Sequence, residues 1–191
     1  MKSVNYLVAI AFLLATSALA QGDAGNEETT TMPAEMGGIT GVVNAVIDGE
    51  PLTVHTFQVE AGQPELTNTA YWEDWRDLGI GISVDVSAHT EARVGISAWE
   101  DAFSFDLDLS DDLEYRDYGG VPDMTYFESL RNPYRMSEGS LELTEAAFVD
   151  DETLRLSGSF EGTFSSPLGE GDKEISGTFE FYWVSMQRLD F

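Results

Sequence analysis

Alternation of apolar and polar residues, repeated in four separate stretches, constrains this chain more than any other feature. Ile80, Ile82, Val84 and Val86 alternate with Gly81, Ser83, Asp85 and Ser87, and Phe103, Phe105, Leu107 and Leu109 alternate with Ser104, Asp106, Asp108 and Ser110. Leu154, Leu156, Gly158, Phe160, Gly162 and Phe164 are interleaved with Arg155, Ser157, Ser159, Glu161 and Thr163. Ile175, Gly177, Phe179, Phe181 and Trp183 are interleaved with Ser176, Thr178, Glu180 and Tyr182. A period of two places alternate side chains on opposite faces of a strand, so each stretch reads as a strand with one buried and one wetted face.

Shorter apolar runs at Val94 to Ala98 and Leu141 to Val149 continue the theme. Ile39 to Ile47 and Leu52 to Val59 flank Asp48-Gly49, a pair suited to a tight hairpin turn. Together these stretches predict an all-β fold, an antiparallel β-sandwich or flattened barrel of about eight strands. Its core is expected on the face carrying Phe160, Phe164, Phe179, Phe181 and Trp183. Gly158, Gly162 and Gly177 share that face, where they mark bends or make room for a neighbouring ring. Asp111 to Glu138 breaks the alternation with Gly119-Gly120, Pro122 and Asn132-Pro133, which predicts a long excursion with a short strand or helical turn near Thr125 to Leu130.

The N-terminus reads differently. Lys2, the apolar run Leu7 to Ala15 and then Ser17-Ala18-Leu19-Ala20 have the order of a secretory signal peptide, 1–20, cleaved after Ala20. The apolar run is about half the length needed to span a bilayer, so no membrane span is expected in the mature form. Residues 21–37, rich in Gly, Glu and Thr, predict a disordered acidic leader, and 38–191 a single β domain. The chain has no Cys, so an exported fold must rely on packing and strand pairing rather than disulfides. Periplasmic or extracellular localisation follows.

Charge narrows the partners. The chain carries 35 Asp and Glu against 9 Lys and Arg, a formal charge of -26, and loss of Lys2 with the signal peptide would take it to -27. Such a surface repels nucleic acid and anionic lipid. It points either to binding of cations or basic partners or, more plainly, to a solvated surface adapted to salt, where screening shortens the range of self-repulsion.

Enzyme motifs are absent: there is no Gly-x-Ser-x-Gly elbow, phosphate-binding Gly loop or His-Glu-x-x-His, and His55 and His89 are the only histidines. No metal and no cofactor is expected. Asp106 to Asp112 begins like a calcium loop, but Asp111 stands where the sharp turn needs Gly and Asp117 where a bidentate Glu is usual. Glu73, Asp74 and Asp77 beside Trp72 and Trp75 are the first place to look for a carboxylate pair against an aromatic wall. Tyr71, Trp72 and Trp75, with Trp99, are the candidate ligand-binding residues, a stacking platform for a polysaccharide or small polar ligand on a segment expected to be a loop.

The opening Ala45-Val46-Ile47-Asp48-Gly49-Glu50, the late Glu138-Gly139-Ser140-Leu141-Glu142-Leu143 and the closing Ile175-Ser176-Gly177-Thr178-Phe179-Glu180-Phe181 resemble a group of small exported bacterial all-β domains of unknown function. The resemblance covers the two ends of the chain and implies the fold and the export, and it carries over no catalytic or binding residue. The function expected is therefore an exported, non-enzymatic β domain with a binding or structural role in the cell envelope. A carbohydrate-binding or carbohydrate-active protein is the alternative. A small outer-membrane β-barrel ending at Phe191 is the second alternative, although Ser185 and Gln187 would then face lipid.

Overall fold

The structure, a computed structural model, describes residues 38–58, 69–91, 99–116 and 120–186. The stretches expected as signal peptide and acidic leader, together with Val94 to Ala98, Asp117 and Phe191, lie outside the described residues. Among the described residues nine strands form one sheet: β1 (Ile39–Ile47), β2 (Glu50–Phe57), β3 (Ala70–Asp74), β4 (Ile82–Ala88), β5 (Ala102–Leu109), β6 (Asp123–Ser129), β7 (Asn132–Phe148), β8 (Thr153–Ser165) and β9 (Asp172–Met186).

The sheet closes on itself, because β9 pairs with β8 as well as with β1 and β3. All pairings between named strands are antiparallel except a two-residue parallel contact that sets Tyr71 and Trp72 of β3 against Ser185 and Met186. The interval between β9 and β4 is spanned twice. At one end β3 lies between them, and at the other the β1–β2 hairpin reaches β4 through a bridge between His55 and His89, whose backbone N–H groups donate to each other's carbonyls at 2.7 and 2.9 Å. The hairpin turns at Asp48-Gly49, both with positive φ, as that pair of residues allows.

The inner face is filled by rings and branched side chains. Phe105 meets Phe160, Phe179 and Phe181 edge to face at 5.6 to 5.9 Å between centroids, and Phe179 stacks on Phe181 at 5.1 Å. Val84, Val86, Leu107, Leu109, Leu154 and Leu156 complete the same cluster. The glycines on this face make room for it. A Cβ on Gly158 would lie 2.6 Å from the Phe179 ring, and one on Gly177 would lie 2.7 Å from that of Phe160. Each glycine is the cross-strand partner of the ring it admits.

Three expectations are corrected. Trp183 is not core: it is 41% exposed, while Val184 is fully buried. Leu156 faces Phe181 and Leu154 faces Val184, so β9 carries one more residue than β8 across this interval, and the bulge turns the strand's phase over before Trp183. Ile80 does not belong to β4; Gly81 has a φ of 103°, and Ile80 lies outside the strand, half exposed. The short strand expected near Thr125 to Leu130 is present as β6, but the stretch from Asp111 to Glu138 is more regular than a long excursion, since β6 and the start of β7 form a hairpin that pairs Phe127 with Pro133.

Candidate functional site

With the interior filled, chemistry gathers on the outer face of β3 to β6. Residues on this face lie one position from core residues: Asp85 sits between Val84 and Val86, and Asp106 between Phe105 and Leu107. Strand register then aligns them. Asp85 is opposite Asp106 and Asp106 opposite Asp123, a row of three carboxylates on adjacent strands, with Tyr71 opposite Asp85 at its β3 end. The next row sets Glu73 opposite Ser83 and Ser83 opposite Asp108.

Directly opposed side chains on one face have Cβ atoms about 5 Å apart, and like charges there are destabilising. Burial, then the charges of Asp106, Glu73 and Asp108, push the Asp85 carboxyl up to about 6. Burial, then Asp108 and Asp123, push Asp106 up as well. At neutral pH this face is therefore ionised against its own electrostatics. Beside it, Asp106, Asp108, Asp123, Tyr115, Arg116, Gly120 and Val121 line an open cleft of about 180 Å³. The Arg116 backbone N–H donates to the Asp108 carbonyl at 2.8 Å, and its guanidinium donates to the Ile80 carbonyl, which ties the cleft wall to the ends of β4 and β5.

The arrangement can attract a cation or a cationic group, and a carboxyl near pH 6 can exchange protons under ordinary conditions. Among the described residues no group of three or more His, Asp or Glu is disposed to hold a metal ion. Asp106 and Asp108, the first two oxygen donors expected of a calcium loop, are instead on strand β5.

The aromatic candidates are dispersed. Tyr71 and Trp72 belong to strand β3 rather than to a loop, and alternation sends them to opposite faces. Trp72 is 2% exposed, packs on Phe148 at 5.3 Å and donates its indole N–H to the Glu152 carbonyl at 3.1 Å. Trp75 follows β3, just before a single 3₁₀ turn at Arg76–Leu78, and is part-exposed. Trp99 lies at the β2–β4 seam, 4.9 Å from His89 and 4.5 Å from Phe127. Of the nearby acids, Asp74 binds Arg76 at 2.6 and 2.8 Å, which holds its carboxyl below the usual range, while Glu73 faces outward beside the acidic row.

The aspartate row was not singled out by the sequence, because it exists only through the register of three strands. The available signal was an Asp at the wetted positions of two successive alternating stretches. No protein-family model matches the chain, and no curated protein or solved structure matches it.

Proposed function

We propose that the chain is an exported, non-enzymatic β domain whose role in the cell envelope, binding or structural, is carried on its outer surface. The observation behind this reading is the contrast between the two faces of β4 and β5. Phe103, Phe105, Leu107 and Leu109 occupy the interior, so specificity falls to the acidic exterior. The same contrast speaks against the outer-membrane alternative, because a lipid-facing barrel turns its apolar side chains outward and this one turns carboxylates outward. Expression with the native leader, followed by osmotic release and intact mass, tests the reading. A mature chain starting at Gln21 and released without detergent is expected, and extraction by detergent alone overturns it.

One observation favours a second reading, a carbohydrate-active protein: Asp85, with its raised pKa, stands between Tyr71 and Asp106, a ring beside a carboxylate pair. In that case Tyr71, Trp75 and Trp99 supply part-exposed rings for a sugar and Trp72 supplies packing. A glycoside and glycan panel read by turnover and Trp fluorescence separates the two. Turnover lost in Asp85→Asn supports the second reading, and no turnover supports the first.

A further inference from the structure

Among the described residues the closed sheet leaves a long edge open on β7. β7 pairs with β6 only as far as Arg135, whereas its pairing with β8 runs on to Phe148. Among the described residues no strand lies against the outer edge of β7 beyond that point. Register shifts mark bulges around Ser137 and Thr144, and between them Glu138 to Leu143 runs in unbroken register, about 20 Å of strand. Every second backbone N–H and C=O of such a stretch points away from its one partner, which is a template for an added strand.

We infer that this stretch docks an extended, cationic segment of a partner protein by strand addition. Its side chains define what fits. Glu138, Ser140 and Glu142 are exposed on the outer face, while Leu141 and Leu143 pack in part against the core on the inner one. An added strand therefore places Lys or Arg beside Glu138 and Glu142, four residues apart, and apolar residues beside Leu141 and Leu143. Glu145 already pairs with Arg155 at 3.8 Å, so the carboxylates open to a partner are the two within the regular stretch.

A second copy is a poor occupant, because antiparallel pairing of two such edges brings glutamates together. The chain itself is a poor source as well, with 9 basic residues against 35 acidic ones. Bulges and charge are devices that guard natural edges against indiscriminate pairing. Here they bound the stretch and give it one sign, which excludes like chains and admits a cationic strand. The inference rests on the surface-binding reading and adds a place and a chemistry to it.

The probe is an acetylated, amidated eight-residue peptide of alternating Lys and Val. Two controls accompany it: one with Pro replacing two Val at unchanged charge, and one with Glu replacing every Lys. Binding to the mature protein is followed by calorimetry at low salt, with backbone hydrogen exchange mapped in parallel. Expected are binding of the Lys-Val peptide and slowed exchange within 138–143. The Glu138→Lys, Glu142→Lys double variant should lose affinity on the order of tenfold, and Asp111→Lys, Asp112→Lys on a different exposed segment should lose about threefold or less. Equal binding of the Pro-containing peptide, protection elsewhere, or no binding overturns the inference. So does protection of 138–143 that grows with protein concentration alone, which would make a second copy the occupant. Export and absence of turnover are measured separately, so failure here removes the edge and leaves the broader function standing.

Discussion

The two faces of β4 and β5 are made by the same residues in alternation, yet their energetics are opposed. On the inner face Val84, Val86, Phe105 and Leu107 are nearly or fully buried, and each closes space against a neighbour. On the outer face Asp85, Asp106 and Asp108 share a small area with carboxylates on both flanking strands. The inner face explains why the sheet closes, and the outer face gives nothing to that closure. Residues kept at an electrostatic cost on one side of a stable sheet are better explained by what the surface meets than by what holds the fold together.

The largest effect should come from the centre of the inner face. Phe105→Ala removes a ring in contact with three other buried phenylalanines and should destabilise the domain by about 3 to 5 kcal/mol, read as a fall in the urea midpoint. Glu180→Ala, on the outer face between Phe179 and Phe181, should cost less than about 1 kcal/mol, since its ion pair with Arg155 is part-exposed. Similar losses from the two would mean that the faces are not distinct in energy.

A smaller pair of changes tests the bulge in β9. Val184→Ala should cost roughly 1 to 2 kcal/mol as a fully buried truncation, and Trp183→Ala less, although tryptophan is much the larger side chain. The opposite order would restore unbroken alternation through Trp183 and contradict the bulge.

This pair also shows where the sequence stops being legible. The alternation of Ile82 to Val86, Phe103 to Leu109 and Leu154 to Phe164 reports a local property, the pleat, and can be read without knowing any partner strand. The phase change before Trp183 depends on how many residues β8 sets against β9, which no single stretch records. The same holds for Pro133, which strand β7 sets opposite Phe127, and for Trp72, whose environment is set by Phe148 and Glu152, far away in the chain. Likewise, Asp85, Asp106 and Asp123 are three separate acids among 35 until register puts them in one row.

A weaker and more diffuse effect is expected from salt. The chain's formal charge of -26 repels itself, and the thermal midpoint should rise by several degrees between low and molar sodium chloride as the screening length falls to about 3 Å. An unchanged midpoint would confine the repulsion to local contacts such as the aspartate row.

That row can be tested most directly by comparing the stability of the parent with that of Asp85→Asn, Asp106→Asn from pH 4 to pH 8 at low salt. The Asp85 carboxyl is raised from 3.8 to about 6 in the folded state, so the folded protein holds this proton more tightly than the unfolded chain. Its stabilising contribution is therefore complete below about pH 4 and is lost as pH rises through 6. His55, lowered by burial, has the opposite sign, its contribution being present above pH 6.5 and lost on acidification, but it is common to both proteins and cancels in the difference. The expected result is a variant that gains stability over the parent as pH rises from 4 to 7, with the gain shrinking in molar salt. Parallel pH profiles for the two proteins would contradict the claim that the outer face is held against its own charge.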